Sequence, residues 1–389
     1  MIELPVIPDP TSSRGKSPAE QSPVARLPEE WQAVLHGERS FRALQVFRWI
    51  HRHGVFDPAE MSNLQLPLRN ALKAAGLGPA AEVIHVHRSS DGTRKLVLQM
   101  ASGARVECVL IPMTRQQDEA DAPDDDDDDG WTERQRVTLC VSTQFGCAMG
   151  CVFCASGRAG LVRGLGAAEI VSQVLIARRY LEPEEDLRNL VFMGMGEPLH
   201  HYAETERALR LLNHPEGLAM SLRRITISTV GLVPGIRRLG EDFGGKVGLA
   251  VSLHAPDDET RDRILPMNRR FPLRELMGAL RAYPLPKRRR ITIEYTLIDG
   301  VNDSDAHAER LVALLRKLPV KINLIPMNSI DGSELSAPPE ARVRAFREAL
   351  AGAGYSCFVR TRRGDDVAAA CGQLAMRPDL IPGAEARAR

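Results

Sequence analysis

Apolar residues follow three rhythms along this chain, and the rhythms divide it. From about residue 28 to 76 they recur three and four apart, the spacing of helices buried on one side. The run F-R-A-L-Q-V-F-R-W-I-H-R-H places Phe41, Leu44, Phe47, Trp49 and Ile50 near helical spacing, with Arg42, Arg48, His51, Arg52 and His53 between them. Between residues 80 and 112 the pattern turns β-like, in E-V-I-H-V-H-R, R-K-L-V-L-Q-M and A-R-V-E-C-V-L-I-P. From residue 137 short apolar runs alternate with helical segments. Strands are predicted at 137–142, 189–194, 224–229, 246–253, 290–298 and 320–326. Helices are predicted at 167–181 and 304–318, the latter with Ser304 as N-cap. Six strands with crossover helices imply a parallel sheet with right-handed connections. A curved, partial β/α barrel is the natural form, with its chemistry at the C-terminal strand ends.

Charge changes the picture in one place. Residues 118–129 read D-E-A-D-A-P-D-D-D-D-D-D, nine acids without a base, and without them the formal charge of +1 becomes +10. Six consecutive aspartates repel one another and cannot bury, so this run reads as a solvated surface insertion. The basic remainder permits binding to a phosphate backbone without demanding it. The amphipathic run at 41–53 accordingly suits either ordinary helix packing or a small module that touches RNA. Residues 1–25, rich in Pro and Ser, are expected to be disordered. No apolar run has membrane-spanning length and no signal peptide is evident, so a cytoplasmic protein without membrane contact is expected.

Seven cysteines are present, at positions 108, 140, 147, 151, 154, 357 and 371. An odd count with three crowded together does not suit a secreted disulfide framework and reads as metal-binding or catalytic. Cys147, Cys151 and Cys154 lie in C-A-M-G-C-V-F-C, immediately after the first core strand. Iron–sulfur clusters normally take four cysteines; three would hold a four-iron cluster and leave one iron open to a small molecule. Zinc is the alternative, but it wants a fourth Cys or His nearby and none follows closely. Downstream, G-M-G-E-P at 194–198 ends the second strand; its glycines allow close approach, and Glu197 could accept bonds from an ammonium group. Ser228, Ser252, His254 and Asn328 fall at later strand ends. Each alone suits a cap or turn; together they are better explained by a shared ligand.

The C-x3-C-x2-C spacing is similar to that of radical S-adenosylmethionine (SAM) enzymes, and G-M-G-E-P resembles their segment for the SAM amino group. More specifically, T-L-C-V-S (138–142), G-C-A-M-G-C-V-F-C (146–154), G-M-G-E-P-L (194–199), S-L-H-A-P (252–256) and R-G-D-D-V-A-A-A-C-G-Q-L (363–374) resemble the RlmN family of 23S rRNA/tRNA adenine-C2 methyltransferases. The likeness covers roughly residues 28 to 375, and its last segment is the most diagnostic.

The resemblance implies an α/β fold: a partial (β/α)6 radical SAM barrel over 133–366, a helical, RNA-binding accessory domain over 26–78, a short β extension over 79–132 carrying an acidic insertion at 117–130, and a C-terminal segment over 367–389 with a methyl-carrying cysteine. It implies one [4Fe-4S] cluster on Cys147, Cys151 and Cys154, and SAM contacts from Gly196, Glu197, Ser228, Ser252, Leu253, His254 and Asn328. Carbon 2 of adenine is electron-poor and does not attack a methyl cation equivalent, so the carbon must arrive as a radical. Cys371 is implied to accept a methyl group from one SAM, and a radical made from a second SAM then activates that methyl for addition to the ring. Glu107 is implied to remove the C2 proton, and Cys140 to attack the sulfur of Cys371, leaving a disulfide that reductant resets. The implied partners are tRNA, 23S rRNA before full ribosome assembly, and an external electron donor such as flavodoxin, for a monomer. Cys108 and Cys357 match no role and read as structural. Two departures stand out: the acid run lengthens the link between Glu107 and Cys140, and Met327 precedes Asn328 where the family pattern expects Trp. Competing expectations are the sister family that methylates adenine C8, a radical SAM enzyme acting on a small molecule or peptide, and an RNA-binding protein with a structural metal.

Overall fold

A computed structural model of the protein describes residues 22–35, 37–101, 103–113 and 134–374. The expected disordered tail lies outside the described residues up to position 21, and so does the whole acidic insertion. Where the tail is described it differs from expectation: Pro23–Ala25 form a 3-10 turn with Val24 and Ala25 buried.

The described strands are β1 (Ala81–Arg88), β2 (Arg94–Met100), β3 (Arg105–Pro112), β4 (Gln135–Cys140), β5 (Gln144–Gly146), β6 (Leu161–Gly164), β7 (Glu185–Phe192), β8 (Ile225–Thr229), β9 (Gly248–Ser252), β10 (Ile291–Leu297), β11 (Val320–Pro326) and β12 (Ser356–Val359). The described helices are α1 (Pro28–Val34), α2 (Ser40–His51), α3 (Leu66–Ala74), α4 (Ala155–Ala159), α5 (Ala167–Ala177), α6 (Tyr202–Asn213), α7 (Val233–Phe243), α8 (Asp258–Ile264), α9 (Leu273–Ala282), α10 (Asp305–Leu314) and α11 (Glu340–Gly352).

One ten-stranded sheet runs in the order β1-β2-β3-β4-β7-β8-β9-β10-β11-β12, and β5 pairs with β6 apart from it. From β4 onward neighbouring strands are parallel. Such strands are covered on both faces and read as continuous apolar runs. β10 illustrates this, with Ile291, Ile293, Tyr295 and Leu297 fully buried. Its helices show the expected stripe; α5 buries every residue but Glu169. Ser304 caps α10 as expected, its side chain accepting from the His307 amide.

The six expected parallel strands form as β4 and β7–β11, and two features extend the expectation. Among the described residues β12 adds a seventh parallel strand beside β11. It escaped the pattern because it is four residues long and none of its side chains is fully buried. The expected β extension joins the barrel directly: β3 pairs antiparallel with β4, so β1–β3 continue the barrel sheet. The acidic insertion therefore joins two adjacent strands, and Val109 stands directly opposite Cys140.

The helical module at the N-terminus packs on the outer helices of the barrel. Phe47 on α2 stacks on His51 at 4.3 Å and meets His214 edge-on at 4.6 Å. Arg48 pairs with Glu216 at 2.6 Å. Ala43, Val46, Phe47, Ile50 and His51 are buried, so His51 belongs to the packed face and not to the basic one. Phe41 is exposed and Trp49 half-buried.

Candidate functional site

The C-terminal ends of the strands surround one cavity, the place where ligands bind in such folds. Its wall brings together Cys147, Cys151, Cys154, Gly196, Glu197, Ser228, Ser252, His254, Asn328 and Cys371. Every cofactor or metal residue expected from the sequence lies on it except Leu253, whose side chain is fully buried in the core. Leu253 contributes main chain only: its N–H donates to Glu294, and its carbonyl accepts from Arg261 Nε at 2.9 Å.

The cysteine loop leaves β4 through β5. Burial raises the thiol pKa values of Cys147, Cys151 and Cys154. Backbone N–H groups of Met149 at Cys147, and of Gly157 and Ser156 at Cys154, oppose the rise and would favour thiolates. Three cysteine thiols on the wall of this one cavity are the donor type that an iron–sulfur cluster takes.

The turn after β7 is fixed by close approach. Gly196 has φ +105°, and a Cβ there would lie 2.6 Å from the Gln144 side chain. Gln144 Oε1 accepts from the Glu197 amide at 2.9 Å, and Gln144 Nε2 lies 2.9 Å from His200 Nδ1. The Glu197 carboxyl accepts from the amides of Leu199 at 3.0 Å and Val230 at 2.8 Å. Burial outweighs those bonds and raises its pKa to about 7. A ligand ammonium would restore its charge.

His254 has φ +58°, and its Nδ1 accepts from the Thr296 amide at 2.9 Å. Burial, with Arg261 adding, lowers its pKa to about 3. The ring is neutral and Nε2 carries the proton, available as a donor. Asn328 donates to the Cys371 carbonyl at 2.9 Å, while its Oδ1 is buried with no hydrogen-bond partner among the described residues. Such an acceptor on a cavity wall suits a ligand donor.

A second cavity adjoins the first. Thr138, Cys140, Arg360, Arg362 and Arg363 line it, and Met193, Ile325, Asn328 and Cys371 line both. Burial, with Cys371 adding, pushes the Cys140 thiol up to about 12. All seven cysteines are free thiols, so the disulfide expected between Cys140 and Cys371 is not formed here. Glu107 is buried and pairs with Lys95 at 3.1 Å. Strand alternation puts it on the same sheet face as Val109, and hence as Cys140.

Sequence reasoning missed Ser142, Gln144, Phe153, Glu294, Thr296 and Lys95. Ser142 Oγ donates to the Glu107 carbonyl at 2.6 Å and accepts from Met195 at 2.9 Å, tying β3 to the glycine turn. Phe153 meets the His254 ring edge-on at 4.5 Å. The available signal was polar residues inside apolar strands: Lys95 in R-K-L-V-L-Q-M, and Glu294 and Thr296 in I-T-I-E-Y-T-L.

Comparison with known proteins bears on this geometry. Residues 141–312 match the radical SAM superfamily, and residues 30–76 match the ribosomal RNA large subunit methyltransferase N-terminal domain. A relative from Sorangium cellulosum, "Dual-specificity RNA methyltransferase RlmN", is 62% identical over 370 residues, 91% of this chain and 95% of that protein. The protein of the same name from Marinobacter nauticus is 44% identical over 361 residues, 91% of each chain. The crystal structure of a radical SAM methyltransferase from Sphaerobacter thermophilus superposes with a TM-score of 0.80 at 41% identity, covering 90% of this chain and 97% of that one.

Proposed function

The chain belongs to the RlmN family of radical SAM RNA methyltransferases, and from that premise we propose that it methylates carbon 2 of adenine in 23S rRNA and tRNA by way of Cys371. The observation that carries this reading is the position of Cys371, which lies on the walls of both cavities. A cysteine there can take up a methyl group from the cofactor side and present it on the substrate side.

When bound, a [4Fe-4S] cluster with SAM supplies the reductive cleavage that provides a hydrogen-abstracting radical. Cys147, Cys151 and Cys154 would hold the cluster. Glu197 would bind the SAM ammonium, and Ser228, Ser252, His254 and Asn328 would orient the remainder. The basic edge of the second cavity, with Arg360, Arg362 and Arg363, suits an adenine whose phosphates stay outside.

On the substrate side the residues divide the work. Cys371 carries the one-carbon unit to C2 of adenine and becomes linked to the base through a thioether. Glu107 takes the C2 proton. The Cys140 sulfur then attacks the Cys371 sulfur: the S–S bond forms, the S–C bond breaks, a proton adds to the departing carbon to make it methyl, the adduct's unpaired electron passes to the external redox partner, and the methylated base leaves. An external two-electron reductant returns both cysteines to thiols. In the substrate-free protein burial raises the Cys140 pKa and keeps the thiol protonated, and so a weak nucleophile.

This reading also carries the finer expectations: a monomer in the cytoplasm, a flavodoxin-like electron donor, rRNA met before ribosome assembly is complete, and the division at residues 26–78, 79–132, 133–366 and 367–389. No described helix is long and apolar enough to cross a membrane. The test is methylation of RNA in vitro by the wild-type protein and by Cys371→Ala, with the modified carbon located by mass spectrometry. A C2 product that disappears in Cys371→Ala is expected. A C8 product, or turnover without Cys371, overturns the reading.

A further inference from the structure

A lysine is buried in the apolar strand R-K-L-V-L-Q-M. Lys95 on β2 is 1% exposed, and its Nζ lies 3.1 Å from Oε1 of Glu107 on β3. The same Nζ donates to the carbonyl of Ala368 at 3.1 Å, three residues before Cys371. One ammonium therefore joins a carboxylate on the sheet to the main chain of the cysteine-bearing loop. Burying an ion pair is not an efficient way to stabilise a fold, since apolar residues of similar volume often serve as well or better. Fold stability thus gives no reason for a charge at Lys95.

The surrounding hairpin holds the same loop. The Gly364 amide donates to Asp91 Oδ2 at 3.1 Å, Arg363 pairs with Asp91 at 3.7 Å, and the Ser90 amide donates to Asp366 Oδ2 at 3.2 Å. The β1–β2 hairpin is a clamp on residues 363–368, and Lys95 is its charged centre.

We propose that Lys95 is a positioning residue for proton removal: it keeps Glu107 ionised and aligned, and fixes the Cys371 loop against it. This rests on the proposed function, because it takes Glu107 as the base. The groups around Glu107 support an electrostatic part. Lys95 faces it from β2, Cys140 stands on the same face of β4, Cys108 neighbours it in its own strand, and the Ala368 carbonyl comes from the C-terminal segment. Of these, Lys95 is the cation in ion-pair contact.

The test compares Lys95→Met, which removes charge and donor, Lys95→Gln, which removes charge and keeps a donor, and Lys95→Arg, which keeps both. In the Cys140→Ala background Lys95→Met should still reach the same end-point of RNA-linked protein, though more slowly as the Cys371 loop loosens, because linkage precedes proton removal. With Cys140 present, release of methylated RNA at neutral pH should slow about tenfold or more. Its pH profile should move up by about 1–3 units, the effect of withdrawing a close opposite charge from a carboxylate. Lys95→Gln should show the same alkaline shift, and Lys95→Arg a profile near wild type. In the cofactor-free protein, alkylation of Cys371 by iodoacetamide should quicken in Lys95→Met, with melting temperature monitoring the fold. Wild-type release with a wild-type pH profile in either neutral variant overturns the inference, as does loss of linkage in the Cys140→Ala background. Absence of linkage in Cys140→Ala alone overturns the proposed function instead, and the inference with it.

Discussion

Ala155, which follows Cys154, donates its backbone N–H to the carbonyl of Gly372, which follows Cys371, at 2.8 Å. Ser156 Oγ adds a bond to the Leu374 carbonyl at 2.5 Å, and Asn328 one to Cys371 itself at 2.9 Å. Two loops more than 200 residues apart in sequence are thereby sewn into one wall. Cys371 is held in register with the first cavity by one main-chain bond and by two side-chain bonds to main-chain carbonyls.

That register should fail when the clamp on the loop fails. Gly364 has φ +62°, and a Cβ there would lie 2.8 Å from Ala369 Cβ and 2.9 Å from Thr93 Cγ2. Gly364→Ala should cost about 1–3 kcal/mol of local strain and lift the loop without unfolding the barrel. RNA methylation should fall at least about tenfold, while iodoacetamide alkylation of Cys371 accelerates. Unchanged methylation would show that the loop does not need this anchor.

The paired thiols should separate into two phenotypes. Cys371→Ala should give no RNA linked to protein and no methylated base. Cys140→Ala should accumulate the linked species, seen as a gel-shifted band that ribonuclease removes, because the sulfur–carbon bond has no attacking thiol. Equal, linkage-free loss of activity in both variants would count against the division of roles.

Glu197 should set a pH threshold for SAM binding. Its pKa is raised to about 7 by burial, so below that pH the ligand-free protein holds a neutral carboxyl. SAM affinity, measured by equilibrium dialysis, should fall towards acid by about tenfold per unit below pH 7. Glu197→Gln should bind SAM about 10- to 100-fold more weakly and lose the pH dependence. Retained dependence in Glu197→Gln would move the titration elsewhere.

Acid should loosen the contact between the helical module and the barrel. Burial, with His214 adding, lowers the His51 pKa to about 3 from 6.5. The unfolded chain binds a proton between those values and the folded chain does not. The stability contribution is therefore intact above about 6.5 and is lost as pH falls towards 3. His254 acts in the same sense. The melting temperature of the cofactor-free protein should drop between about pH 6.5 and pH 5, and His51→Phe should reduce that drop. An identical pH profile in His51→Phe would exclude His51 as a source.

Much was legible in the linear chain because periodicity and spacing are local. Alternating strands and helices announced the barrel, and the crowding of Cys147, Cys151 and Cys154 announced three thiols on one cavity wall. Strand-end positions gathered Glu197, Ser228, Ser252, His254 and Asn328 in one cavity, as parallel topology requires. The acidic insertion obscured the link between Glu107 and Cys140, because sequence distance says nothing about strand pairing. Lys95 went unassigned, since a charge in a strand usually faces water, and β12 was too short and too little buried to register.

The chain by itself determined which residue types stand at the ends of which strands, because hydrophobic periodicity commits each segment to a sheet or a helix before any long-range contact exists. Only the tertiary structure decided that β3 lies beside β4, that a buried ammonium joins Glu107 to the cysteine loop, and that Cys371 belongs to two cavities at once. The physical reason is that these relations depend on hydrogen-bond register and loop closure between distant segments, and no local pattern of polar and apolar residues encodes either.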